Sequence, residues 1–223
     1  MAPLRWVLFD LNGTLVDPAV MAQPLGDTAA DEDLVSAAVD DAIQLAMVVT
    51  LTGREAVFAE LVRAGLRRRL RLAGRDPAAA DDAIGLMGSM PAFIDSAAAL
   101  EHLRGIGLRL GVLTQSAPAA ADGVLRFAGL RDRIEMVISA PESGAFKPDP
   151  RPYRMALERI EADAGEVALV AAHWWDVAGA KAAGLTTGWV ARRDLVLPDG
   201  VPEPDVGGRD LMEVAEGLAK LAR

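Results

Sequence analysis

The stretch WVLFDLNGTLVDP (Trp6–Pro18) holds four apolar residues, Trp6–Phe9, which end on a carboxylate, Asp10, followed after Leu11 by Asn12, Gly13 and Thr14. A short run that is apolar without alternation suits a strand buried on both faces, as in a parallel sheet covered by helices. The turn-forming residues behind it end the strand. The stretch therefore places an acid at the carboxyl tip of a buried strand, where open α/β sheets gather their sites.

Working outward, runs of the same kind recur at LRLGVLT (108–114), EMVIS (135–139), VALVAA (167–172) and TTGWV (186–190). Between them lie segments with apolar residues spaced three and four apart, at 96–107, 117–130, 150–165, 176–185 and 209–223. Prolines open the segment at 150 and glycines close several others, the expected asymmetry of helix ends. Alternating strands and helices predict an α/β fold, a Rossmann-like parallel sheet flanked by helices. Residues 19–89 break the alternation and read as helices only, over 31–51, 54–72 and 76–88. The expected organisation is a core made of 1–17 and 90–223, with a helical cap, 18–89, inserted after the first strand. The Pro/Gly/Asp-rich segment LPDGVPEPDVGGRD (197–210) reads as a loop.

Composition narrows the function classes. The 223 residues are 52% hydrophobic and 25% charged, within the range of folded globular proteins. A net charge of −9 argues against nucleic acid, whose phosphates need clustered Lys and Arg. The one basic cluster, Arg63–Arg75, has the spacing of a solvated helix face. No cysteine is present, which removes disulfides, thiolate metal sites and cysteine nucleophiles and suits a cytoplasmic enzyme. Asp10 interrupts the first apolar run, and no later run reaches about 18 uninterrupted apolar residues, so neither a secretory signal nor a membrane partner is expected.

Four pieces fall at the ends or turns of the predicted core: Asp10; Thr114 with Gln115 and Ser116; Lys147 in FKPDP; and AAHWWD, ending on Asp176. A carboxylate nucleophile must be ionised and held still, and a nearby ammonium such as Lys147 does both. Thr114, Gln115 and neighbouring backbone N–H groups can hold a substrate anion. A second acid, Asp176, can orient or deprotonate water. His173 is either a packed imidazole or a group that helps to activate water. Trp175 reads as pocket wall, and His102, inside a predicted helix, as structural.

Taken in order, DLNGTLVD, VLTQS, FKPDPRPY and DVAGAKAAGLTTGWV resemble the four signature motifs of the haloacid dehalogenase superfamily, and the resemblance spans the core. It implies a Rossmann-like sheet with a helical cap and a covalent role for Asp10. Most members of that superfamily are magnesium-dependent phosphatases with a second Asp two residues after the nucleophile and another four residues before the Asp176 position. Here Asn12 and Ala172 stand at those places. An amide does not titrate usefully, and magnesium favours carboxylate oxygens. The resemblance is therefore closest to the 2-haloacid dehalogenases, which use no metal or other cofactor. It implies that Asp10 displaces halide from a small anionic substrate, a 2-halocarboxylate, and that water then hydrolyses the resulting ester.

In that scheme Lys147 keeps Asp10 ionised, Thr114, Gln115 and the amides of Leu11 and Asn12 receive the substrate carboxylate, and Asp176, helped by His173, prepares the water. Thr14 stabilises the turn or touches Asp10. The early-cap arginine that holds halide in those enzymes has no counterpart in VDDAIQLAM (39–47), and Arg54 is the nearest cationic candidate. The alternatives are a magnesium-dependent small-molecule phosphatase and a binding protein of the same fold with reduced catalysis. The sequence leaves oligomeric state open, a homodimer included.

Overall fold

The computed structural model describes residues 3–222. Six parallel strands form one sheet: β1 (Trp6–Phe9), β2 (Arg109–Thr114), β3 (Met136–Ser139), β4 (Val167–Ala171), β5 (Thr186–Val190) and β6 (Val206–Gly208). Their order is β3-β2-β1-β4-β5-β6, so β1 is central and chain progress reverses between β1 and β4. That reversal opens a crevice at the carboxyl ends of the strands. Phe9 pairs with Val112 on one side and Val170 on the other, which brings the chain after β1, β2 and β4 to the same level.

Helices flank both faces. The central strands alternate their contributions between two apolar clusters, Val7 and Phe9 to one and Trp6 and Leu8 to the other. This is why these strands show no polar residues. The core helices are α4 (Ser96–Gly105), α5 (Pro118–Phe127), α6 (Pro150–Ile160), α7 (Trp174–Ala182) and α8 (Leu211–Leu221), which follow the inserted helices α1–α3 in chain order. Asp149 caps α6 by accepting from Arg151 N, and Asp210 caps α8 by accepting from Glu213 N. The predicted last helix extends to residue 223, which lies outside the described residues, as do residues 1 and 2 of the predicted core.

Between β1 and β2 the chain forms a 3-10 turn (Pro18–Leu25), then α1 (Ala29–Leu51), α2 (Phe58–Leu72) and α3 (Ala79–Gly85). A capping box at Thr28 and Asp31 starts α1. This helix is long and apolar enough, by length and composition alone, to cross a membrane. Here its buried side, Val35, Ala38, Ala42 and Ala46, packs with Phe58, Val62, Leu66 and Leu70 of α2. Asp41 on the same helix is buried and paired with Arg68 and Arg69. Arg67 likewise pairs with Asp81, and Arg75 with Asp31. The basic cluster seen in the sequence is thus largely neutralised by acids of its own helical unit.

The structure departs from the sequence reading at several helix ends, α2 starting at Phe58 rather than 54 and α3 spanning only Ala79–Gly85, and in three further places. Residues 206–208 are a strand rather than loop. Val206–Gly208 pairs with Gly188–Val190, and Asp205 anchors the approach by accepting from Thr187 N and Thr187 Oγ1, both at 2.8 Å. Two glycines in a three-residue strand carry no hydropathy signal. Helix α7 begins two residues earlier than expected, with His173 at its N-cap, so Asp176 lies inside the first turn and is not a cap. Helix α6 stops at Ile160 because Glu161 turns left-handed, at φ 51°.

Candidate active site

The site starts where β1 runs out. Asp10 N donates to Val170 O (2.9 Å), which continues the ladder with β4 one residue beyond the strand. The chain then folds back, with Leu11 O accepting from Leu15 N (2.9 Å) and Gly13 N donating to Val16 O (2.8 Å). Gly13 sits at φ +83°, and a Cβ there would come within 3.1 Å of the His173 ring, so only glycine lets the turn lie against the imidazole.

Asp10 is 4% exposed. Its Oδ1 accepts from Lys147 Nζ at 2.9 Å and its Oδ2 from Thr14 Oγ1 at 2.9 Å. His173 Nδ1 lies 3.2 Å from the same Oδ2. Thr14 Oγ1 in turn accepts from Ala172 N at 2.9 Å, which ties the turn after β1 to the end of β4.

Lys147 is fully buried, and its ammonium has a partner for each of its donors: Asp10 Oδ1, Leu113 O at 2.8 Å and Asp176 Oδ2 at 2.5 Å. Its backbone is fixed by Gln115, whose Oε1 accepts from Lys147 N (3.0 Å) and whose Nε2 donates to Lys147 O (2.9 Å). Both ends of that amide are occupied. Gln115 therefore positions Lys147, where the sequence suggested a substrate contact. Asp176 is also fully buried, and its Oδ1 accepts from Tyr153 OH at 2.7 Å. Gly179, one turn along α7, makes room for that phenol, since a Cβ there would lie 2.6 Å from the hydroxyl.

Electrostatics follow from this packing. Burial works against an ionised Asp10, but Lys147 and His173 outweigh it and hold the carboxyl far below its ordinary range. Burial raises the Asp176 carboxyl, and the negative Asp10 adds to the rise against the pull of Lys147 and Tyr153. Burial opposes the charge on Lys147, yet the two carboxylates keep its pKa above the usual lysine value. The Tyr153 phenol, raised by burial and by Asp176, stays protonated as a donor. For His173, burial again disfavours the charged form, and the contact with Asp10 overcomes it, so the imidazole titrates above 6.5. In the free protein an NMR titration of His173 will show a midpoint above 6.5, and Asp10→Asn, which removes the main counter-charge, will lower it.

Above this cluster lies a cavity of about 500 Å³ between the core and the inserted helices. Asn12, Gly13, Ala172 and His173 form its floor, and His173 joins the floor to Asp10. Among the described residues, the amides of Leu11 and Asn12 have no backbone acceptor, which leaves two N–H groups beside Asp10 for an anion. The Asn12 side chain donates to Ser116 Oγ at 3.2 Å. Thr114, at the end of β2, is buried and accepts from Ser116 N at 3.2 Å. Trp175 stacks on His173, with ring centroids 5.1 Å apart, and packs into the apolar cluster of the inserted helices.

Arg54 lies exposed beyond the end of α1 and is not part of the cavity wall, so the structure does not bring it to the site. His102 is likewise remote, in the last turn of α4. The cations on the wall are Arg192 and Arg193, from the chain after β5. Arg192 is held by Asp95 (2.9 and 2.7 Å) and Thr14 O and stacks on Phe93, whereas Arg193 pairs with Asp40 of α1 at 3.5 Å. Sequence reasoning missed Tyr153, although it lies in the FKPDPRPY stretch and is the one tyrosine in the chain. Its place early in a proline-opened helix, six residues after Lys147, was the available signal.

A model of haloacid dehalogenase-like hydrolases matches residues 4–184. The (S)-2-haloacid dehalogenase 1 of Pseudomonas sp. (strain CBS-3) is 31% identical over 206 residues, covering 84% of each chain. A plasmid phosphoglycolate phosphatase of Cupriavidus necator is 33% identical over 196 residues, or 82% of this chain and 79% of the relative. The solved L-2-haloacid dehalogenase of Xanthobacter autotrophicus shares the fold, with a TM-score of 0.88 at 24% identity over 98% of this chain and 100% of that one. The sheet order, the acid at the tip of its central strand and a match running through most of the sequence agree, and the chain belongs to the haloacid dehalogenase-like hydrolase family.

Proposed function

We propose that this hydrolase displaces halide from 2-halocarboxylates by way of an ester on Asp10, with no metal or other cofactor and with the inserted helices acting as a cap. The observation that carries the proposal is the bonding of Lys147 Nζ to both Asp10 and Asp176. An ammonium occupies the place between the two buried carboxylates, and Asn12 and Ala172 bring no further carboxylate. This donor set does not fit a divalent cation, which prefers several oxygen ligands in near-octahedral array. It does fit an ionised, oriented oxygen nucleophile.

In the first step the Asp10 carboxylate attacks the substrate α-carbon. A C–O bond forms, the carbon–halogen bond breaks, and halide departs with the electron pair. The free amide of Asn12 on the cavity floor, with that of Leu11 beside it, receives the substrate carboxylate; Thr114 is buried behind them and is not on the cavity wall. Esterification removes the negative charge that raises the His173 pKa, so the imidazole stands unprotonated as a base, any proton it carried having passed to solvent. In the second step water adds to the Asp10 carbonyl carbon and gives a proton to His173. The acyl–oxygen bond then breaks, and the 2-hydroxy acid leaves with that proton. The acid formed on Asp10 returns its proton to His173, which restores the starting ion pair.

His173 suits this base role because it touches both Asp10 and the cavity. Asp176 has neither contact, and its oxygens are engaged by Lys147 and Tyr153. Asp176 is therefore a positioning residue for Lys147. The test is exposure to 2-chloropropionate followed by mass spectrometry of the Asp10 peptide. Wild type will release halide continuously. His173→Asn will release about one halide per protein molecule and retain the ester. Magnesium-dependent release of phosphate from small phosphate esters, with no halide release, would instead establish the phosphatase chemistry of the Cupriavidus relative.

A further inference from the structure

The cavity above Asp10 is large for the acids considered so far. Its volume of about 500 Å³ falls in the range of pockets that enclose drug-sized ligands, about 300–1,000 Å³. Polar groups line it at Asn12 and His173 on the floor, at Asp17, Glu32, Asp33, Ser36 and Asp40 on the inserted segment, and at Arg192–Asp194 after β5. Between these groups runs an apolar stretch of wall: Val35 and Val39 from α1, Phe58 and Val62 from α2, and Met21 and Met90 from the flanking segments. Methionine side chains adapt their shape to irregular apolar ligands. The residues of α1 on the cavity are Glu32, Asp33, Val35, Ser36, Val39 and Asp40, none of them basic.

A two- or three-carbon halo acid seated on Asp10 would leave most of this apolar wall facing water. Building on the dehalogenase reading, we propose that the site takes 2-halocarboxylates with an extended alkyl or aryl chain, whose carboxylate and halogen lie on the polar floor while the chain runs up between α1 and α2. The wall replaces the fixed charge of a short-acid site with apolar contact, and binding free energy then comes from the chain.

The test measures kcat/KM for halide release from 2-bromopropionate, 2-bromohexanoate and 2-bromooctanoate. The expected result is a rise of about fourfold per added methylene until the cavity is filled, the ratio equivalent to about 0.8 kcal/mol per buried CH₂. Val39→Phe, and separately Ser36→Phe, shortens the space beside α1 and should lower the value for the octanoate far more than for the propionate. Turnover of 2-bromopropionate with a flat or falling series would overturn this inference and leave the dehalogenase reading standing. Absence of halide release from all three acids would overturn that reading, and this inference with it.

Discussion

Asp10→Asn will leave a folded protein with halide release reduced on the order of 10⁴-fold or more, the scale of loss when a nucleophile is removed. The substitution is close to isosteric, and the surrounding bonds allow a sharp expectation. Asp10 Oδ2 is held by Thr14 and Oδ1 by Lys147, so an amide oxygen can keep one of these contacts, and the neutral side chain no longer attacks carbon. Lys147 keeps Asp176 and Leu113 O as partners, so the buried ammonium is not orphaned. Halide release measured by ion-selective electrode, beside circular dichroism to verify folding, checks the outcome. Activity above about a hundredth of wild type would remove Asp10 from the chemistry, given the tenfold change in rate per 1.36 kcal/mol of barrier.

Lys147→Met has the largest expected effect on stability. The substitution keeps length and loses charge, leaving Asp176 buried with no counter-ion and Asp10 with His173 alone. Removing one partner of a buried ion pair costs about 3–5 kcal/mol. Urea denaturation at neutral pH should show a loss of that order, together with loss of activity. The pH dependence has a definite sign. In the wild type, Asp10 titrates below its unfolded value, so its contribution to stability is present above the ordinary aspartate pKa and is lost as pH falls through the folded value. In Lys147→Met the two carboxylates rise instead, and protonation relieves their repulsion. The deficit relative to wild type should therefore shrink as pH is lowered. A deficit that is constant from pH 8 to pH 5 would mean that Lys147 acts by packing alone.

Much of this arrangement can be read from the chain. The buried strands β1 to β5 announce themselves because both faces are covered, which leaves uninterrupted apolar runs, and their carboxyl ends carry Asp10, Thr114 and His173 in the sequence itself. Lys147 is legible through its setting between turn-forming prolines. What the sequence hides is direction. Nothing in VLTQS shows that Gln115 turns back onto the Lys147 backbone, or that Asp176 faces the ammonium and phenol and not the cavity. Strand β6 is hidden for a different reason, because its residues pair through backbone alone and two of its three positions are glycine. The cationic side of the cavity is hidden by distance along the chain. Arg192 and Arg193 arrive from beyond β5, far along the chain from the inserted segment that carries Arg54.

Trp175 belongs to the core helix that carries Asp176, yet its indole is buried with Met21, Phe58 and Phe146 in the cluster of the inserted helices. On the far side of the cavity, the contact between Asp40 and Arg193 is a half-exposed ion pair. The two edges of the junction thus answer to different forces. The indole edge is closed by burial of apolar surface, while the other is an exposed ion pair, which added salt weakens. Raising the ionic strength is therefore expected to loosen the Asp40–Arg193 contact and to leave the Trp175 contact in place.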